Sequence, residues 1–173
     1  MPEIIDVLID RVPQVAESSF ISKHACVVGD VEIGETCLVM PGAVIRSDFG
    51  SIRIGNSTWI EDNAVLHSDQ LGLNIGDNVT IGHGAVVNGQ KVGNNVLIGI
   101  NASILHQSEI GDRCIIAAGA VVTQGMKIPS GSLVAGVPAK VIGDVSEEVL
   151  KDWVGRDSQF LSRLIEDYRK QGL

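Results

Sequence analysis

A period of six residues constrains this chain more than any other feature. Aliphatic side chains recur at Ile21, Val27, Ile33, Val39, Ile45, Ile54, Ile60, Leu66, Ile75, Ile81, Val87, Val92, Ile98, Ile104, Ile110, Ile116, Val122, Ile128 and Val134, and the step is six almost throughout. Glycine commonly follows, as at Gly34, Gly55, Gly76, Gly82, Gly93, Gly99 and Gly111. Four positions after the aliphatic residue comes a compact one, as at Cys37, Ala43, Ala64, Ala85, Ala102, Cys114 and Ala120. Six residues do not hold one face of a helix of 3.6 residues per turn, so amphipathic helix is excluded over this span. The pattern fits a short strand and a turn, repeated. Three such units make one coil of a triangular prism with β-branched residues inside. Neighbouring coils pair as parallel strands about 4.8 Å apart, and stability comes from stacking because no coil buries its apolar face alone. The expected fold class is all-β, a parallel β-helix of hexapeptide repeats.

Composition agrees. The chain of 173 residues is 45% hydrophobic but only 3% aromatic, with 20 glycines. Its core must be layers of Val, Ile, Leu and Ala. The net charge of −8 and the lack of a basic stripe exclude a nucleic-acid partner. The acidic start MPEIIDVLID lacks the layout of a signal peptide, and the longest apolar run, near Cys114 to Val122, is too short to span a bilayer. No membrane partner and a cytoplasmic location are expected. Cys37 and Cys114 fall at the compact inward position four coils apart, too far for a disulfide, and Cys26 falls outward.

The repeat ends near Val134. VPAKVIGDV departs from it at Pro138. Ser146 can cap a helix with Glu147 and Glu148 in its first turn. Val149, Trp153, Phe160, Leu161, Leu164 and Tyr168 then recur at near-helical spacing, with a break at Gly155. One or two amphipathic helices are expected from about Ser146 to Lys170, packed along the prism. Residues 1–145 would form the β-helix with its lead-in, and 146–173 a helical extension of the same domain.

Three steps are not six: Ile45 to Ile54 is nine, Leu66 to Ile75 is nine, and Val87 to Val92 is five. All three fall at one corner of the prism in consecutive coils, where a site is expected. Arg46, His67 and Asn88 stack in a column just before that corner, and Asp48 and Asp69 lie in the two longer loops. His83 lies on a different face and reaches such a column only in another subunit. His106 is offset by one residue from the column and should point to the other side of the strand.

The segments RSD then IRIG, IEDNAVLH, and IGHGAVVNG resemble the γ-class carbonic anhydrase family of left-handed β-helix proteins, from about Val12 to the C-terminal helix. The resemblance supplies the handedness. It implies a homotrimer with interfacial sites for carbon dioxide or bicarbonate, each site holding Zn2+ (or Fe2+ or Co2+). His67 matches the first ligand, in the family pattern QDxxxLH, and His83 the second, in GHxAxxHG. The third ligand position holds Asn88, and an amide oxygen is a poor zinc ligand. Glu61 stands where the family has glutamine and would orient a metal-bound hydroxide. Arg46, Asp48 and Asp62 match polar interface residues, with Arg46 pairing Asp62 across subunits. Hydration of carbon dioxide by a metal-bound hydroxide is the function this resemblance implies.

A hexapeptide-repeat acyltransferase is the alternative. It shares the prism and the trimer, with His83 as general base toward an acceptor hydroxyl or amine and acyl-CoA alongside. GVPAK resembles a segment common in that group. A non-catalytic trimeric binding module, supported by Asn88 and Glu61, is the third reading.

Overall fold

In the computed structural model, residues 4–5, 11–153 and 158–172 are described. The first coils hold β1 (Ile4–Ile5), β2 (Gln14–Val15), β3 (Phe20–Ile21), β4 (Cys26–Ile33), β5 (Leu38–Val39) and β6 (Val44–Ile54). The middle coils hold β7 (Trp59–Ile60), β8 (Val65–Ser68), β9 (Leu73–Ile75), β10 (Thr80–Ile81), β11 (Val86–Val87) and β12 (Lys91–Val92). Above them come β13 (Leu97–Ile98), β14 (Ser103–Ile104), β15 (Glu109–Ile110), β16 (Ile115–Ile116), β17 (Val121–Val122), β18 (Lys127–Ile128) and β19 (Ser132–Ala135). The chain closes with β20 (Lys140–Asp144), α1 (Glu147–Trp153) and α2 (Ser158–Gln171).

The architecture is a left-handed parallel β-helix of about seven turns. Its first face is one sheet in the order β20-β19-β16-β13-β10-β7-β5-β3. The second and third faces form one continuous sheet, because β4 and β6 run on around the corner between them. The periodic aliphatic residues are the paired inward rows: Ile60, Ile81, Ile98 and Ile116 stack in register on the first face, and Leu66, Val87, Ile104 and Val122 on the second. All eight are fully buried. Burying each is worth about 1.5–3 kcal/mol, so the repeat carries the fold. Cys37 and Cys114 are buried free thiols, as the phase count requires.

Turn residues add a second stack. At the corner before the first face, backbone N–H groups of Glu35, Asn56, Asp77 and Asn94 donate to the side-chain oxygens of Asn56, Asp77, Asn94 and Asp112 in the next coil, at 2.6–2.9 Å. The Asx residue after Ile54-Gly55, Ile75-Gly76, Val92-Gly93 and Ile110-Gly111 thus closes the turn beneath it.

The three faces end differently. The lower first face is covered by α2, whose Leu161 and Ile165 pack on Phe20, Leu38 and Met40; Phe20 and Tyr168 stack with ring centroids 5.5 Å apart. The third face carries a polar outer row, including Arg53, Asn74, Lys91, Glu109 and Lys127. The second face shows Val44, Val65, Val86 and Val121 outward with no element over them among the described residues.

The helical reading is borne out within limits. Two helices form where one or two were expected, and the Ser146 Oγ accepts the Val149 N–H at 3.3 Å as a cap. The break expected at Gly155 lies outside the described residues. VPAKVIGDV does leave the repeat, but it returns as β20, antiparallel to β19, which the periodicity could not reveal.

Candidate functional site at two corners of the second face

Two histidine clusters flank the second face. The first is the irregular corner between the second and third faces. Here β6 spans the nine-residue step without a break, so Asp48 lies within a strand and not in a loop as expected; Asp69 does lie in its loop and accepts the Leu71 N–H at 2.8 Å. Arg46 and His67 are paired in register. Asp48 Oδ2 takes both neighbours: Arg46 Nη1 at 2.7 Å and His67 Nε2 at 3.1 Å. Ser47 and Ser68, both buried, donate to the Gly50 carbonyl and hold the bend in place.

Asn88 continues this column one coil on. Its Nδ2 donates to His106 Nε2 at 2.9 Å. This corrects the expectation that His106 points to the other side of the strand. β14 ends at Ile104, and His106 lies in a turn with Gln107 at φ 59°, where strand alternation no longer sets direction.

The second cluster lies at the turn from β10 to β11, between the first and second faces. His83 is held there by its neighbours. A Cβ on Gly82 would meet the Ile98 carbonyl at 2.9 Å, and Gly84 has φ +67°, so both positions favour glycine. The coil below presents two carboxylates. Asp62 Oδ2 is 3.0 Å from His83 Nδ1, and Glu61 Oε2 is 3.3 Å from His83 Nε2. Glu61 Oε2 also accepts the His83 backbone N–H at 3.2 Å. Glu61 is well covered, its side chain 12% exposed, whereas His83 is half exposed.

His83 and Glu61 stand at one end of a cleft of about 350 Å3 that climbs the upper first face above α2. Leu97, Ile100 and Ile115 form its apolar wall, and Gly99, Ala117 and Ala118 leave it open. Among the described residues, Glu61 and His83 are the only titratable ones in its lining. A carboxylate–imidazole pair beside an apolar channel can move protons next to a bound chain-like ligand.

The structure therefore divides the sequence-derived site residues. Arg46, Asp48, His67 and Asn88 share one corner; Glu61, Asp62 and His83 share the other. Arg46 pairs with Asp48 in its own chain, and Asp62 with His83, so the Arg46–Asp62 pairing implied by the resemblance is not formed within the chain. The cleft residues Gly99, Ile100, Ala117 and Ala118 were missed. Their signal was present: they continue the rows of Gly82 and His83 through later coils.

Among the described residues of one chain, no group of three His, Cys, Asp or Glu side chains is arranged to hold a metal ion. His67 Nε2 is engaged by Asp48, and Asn88 turns its amide nitrogen to His106.

Comparison with known proteins bears on the same question. A family profile described as "Bacterial transferase hexapeptide (six repeats)" matches residues 91–124, and one described as "Hexapeptide repeat of succinyl-transferase" matches residues 72–105. A solved hexapeptide transferase family protein from Anaplasma phagocytophilum is similar over 91% of this chain and 93% of its own, with 31% identity and a TM-score of 0.84. A hexapeptide-repeat containing acetyltransferase from Vibrio cholerae O1 biovar eltor, solved in complex with acetyl coenzyme A, is similar over 66% of this chain and 71% of its own, with 30% identity and a TM-score of 0.57. A curated relative from Staphylococcus aureus (strain JH9), 2,3,4,5-tetrahydropyridine-2,6-dicarboxylate N-acetyltransferase, is 54% identical over 54 residues, or 31% of this chain. The match spans only 22% of that relative's length.

These findings overturn the γ-class carbonic anhydrase reading. These relatives are named as transferases, and the solved acetyltransferase is in complex with acetyl coenzyme A. With that reading go carbon dioxide and bicarbonate as substrates and the metal ion, Zn2+, Fe2+ or Co2+, expected at the site.

Proposed function

We propose that this chain, which belongs to the hexapeptide transferase family, transfers an acetyl group from acetyl-CoA to a small-molecule acceptor with His83 as general base. One observation carries the reading. His83 is the histidine at the mouth of an apolar cleft, with one ring nitrogen held by Asp62 and the other turned to Glu61. The coenzyme A complex of the Vibrio cholerae relative supports the choice of donor.

The geometry suits the chemistry. Asp62 at Nδ1 favours the tautomer with its proton on that nitrogen, so that Nε2, beside Glu61 Oε2, is the nitrogen that would take a proton from the acceptor. The thioester arm would lie along Gly99, Ala117 and Ala118, its carbonyl brought to His83 at the lower end. Attack of the acceptor forms the new bond to the carbonyl carbon, the C–S bond breaks, and the His83 imidazolium returns its proton to the departing sulfur. His67 has no such setting: its Nε2 is bonded to Asp48, which Arg46 also holds.

We propose further that the chain works as a cytoplasmic homotrimer, with Val44, Val65, Val86 and Val121 of the second face inside the contact. Both histidine corners border that face, so the sites would be interfacial. The β-helix of 1–145 and the extension of 146–173 would act as one unit. Sedimentation would show a single species of three chains. Acetyl-CoA-dependent thiol release, measured across amine and hydroxyl acceptors, tests the activity; its absence, together with no acetyl-CoA binding, would refute it.

A further inference from the structure

We infer that Phe49 and Leu71 of a neighbouring copy wall the lower end of the His83 cleft, so that each site takes an acceptor with an apolar group beside its nucleophile. The inference rests on the acetyl-transfer and trimer readings and deepens both. It begins from two side chains that the single chain leaves uncovered. Phe49 is 68% exposed and Leu71 56%, and they stand on consecutive coils at the two nine-residue steps. The steps form a firm ridge. Gly50 lies so close to the coil above that a Cβ there would meet the Gly72 nitrogen at 2.7 Å, and the Leu71 N–H is tied to the Asp69 carboxylate at 2.8 Å. An apolar pair held out to solvent on such a ridge marks a contact.

The fold says what covers it. The outward side chains of Val44, Val65 and Val86 run in register up the second face, so copies that share this face lie side by side with parallel axes. In a closed ring of three the contact is heterologous, and one edge of the face meets the opposite edge of the next copy. Rotation about an axis parallel to the prisms leaves every height unchanged. The edge with Phe49 and Leu71 therefore meets the edge with His83, coil for coil. Phe49 shares its coil with Pro41, and Leu71 shares its coil with Glu61 and Asp62, one coil below His83. The shapes match at that height: a ridge with two apolar side chains faces the lower end of an apolar cleft. Charge steers the same approach, because Arg46, half exposed, lies on the ridge edge, and Glu61 and Asp62 lie on the cleft edge.

The consequence is chemical. The thioester arm occupies the cleft above His83, so the acceptor enters from below. Its nucleophile meets His83, and the carbons behind it meet the phenyl ring and isobutyl group of the neighbour. An acceptor that buries alkyl or aryl carbon there gains over one that leaves the ridge wet.

Two experiments on the full-length chain test this. Phe49→Cys together with Pro41→Cys, in a Cys26→Ala background, is treated with a short bismaleimide. The pair should give covalent dimers and trimers on a denaturing gel, and neither single substitution should. Thiol release from acetyl-CoA then compares acceptors that share a nucleophile, ethylamine with isopentylamine and ethanol with isopentanol. The larger member of a pair should be favoured about 10- to 50-fold in kcat/KM. Phe49→Ser and Leu71→Ser should each shrink that preference by about 3-fold or more, with acetyl-CoA affinity unchanged. Both side chains are exposed on the single chain, so these variants leave its core intact. No cross-link would give the ridge to another occupant. Absent or equal use of the two members of a pair, or a preference that survives both serine variants, would remove the ridge from the site. Each of these results overturns the inference and leaves the acetyl-transfer reading standing. No acetyl-CoA binding by the wild type would instead remove that reading, and the inference with it.

Discussion

The two histidine corners differ in what their carboxylates are doing. Asp48 is shared between Arg46 and His67, a closed set in which each charge has a partner. Glu61 and Asp62 converge on His83 alone, and the set opens onto a cleft. The sequence pattern of metal-site residues runs through both corners, yet the same residue types make a closed ionic clamp at one and, in the proposed function, a reactive arrangement at the other. What separates them is the cation. An arginine in reach turns a carboxylate–histidine pair into scaffold; its absence, beside an apolar channel, leaves the pair free to act on a ligand.

The comparison can be broken most sharply by exchanging the two histidines' roles. His83→Asn should lower acetyl transfer by about 10²- to 10⁴-fold, while His67→Asn should stay within a few-fold of wild type; steady-state kinetics on both variants checks it. A smaller effect belongs to the orienting carboxylate. Asp62→Asn should lower kcat by roughly 10²-fold, less than the 10⁴-fold for a buried triad aspartate, because its side chain is 41% exposed. The KM for acetyl-CoA should not change.

At the other corner the expected loss is in stability. Asp48→Asn leaves Arg46 without its counter-charge and weakens the bond to His67, and should destabilise the fold by about 1–3 kcal/mol in urea denaturation with little change in turnover.

Beneath both corners, the pH response of the core must be separated from that of the sites. Burial pushes the Cys37 thiol up from 9.0 to about 11. The folded chain then holds this proton more tightly than the unfolded chain does. Its stabilising contribution is full below about 9 and is lost as pH rises towards about 11. Stability should decline over that window, and Cys37→Ala should flatten the decline in alkaline denaturation. The smallest effect is expected far from either histidine: Asp77→Ala removes the acceptor for the Asn56 backbone N–H at 2.6 Å and should cost about 1 kcal/mol, seen as a small shift in Tm.

Much of this was legible in the sequence. Inward rows follow directly from the six-residue step, because β pairing fixes the side-chain phase. The phase count also placed Arg46, His67 and Asn88 in one column and His83 apart from it. Other features were not legible. Strand alternation misdirected His106, since it sits in a turn. Pairing at the nine-residue corner kept Asp48 inside β6, where a loop was expected. The chemistry was misread for a related reason: spacing showed which residues were near one another, but not that Arg46 neutralises Asp48 while Glu61 faces an open cleft. That distinction depends on side-chain direction and on the small residues Gly99, Ala117 and Ala118, which carry no motif of their own.

The most direct test of the His83 corner as the acetyl-transfer site is calorimetric titration of acetyl-CoA into the wild type and two variants, Ala118→Trp and His67→Asn. Tryptophan at position 118 fills the cleft that Ala118 helps to line. Binding by the wild type and His67→Asn, with binding lost in Ala118→Trp and all three folded by circular dichroism, is the predicted result. Binding that survives Ala118→Trp but disappears in His67→Asn would place the site at the wrong corner and contradict the account.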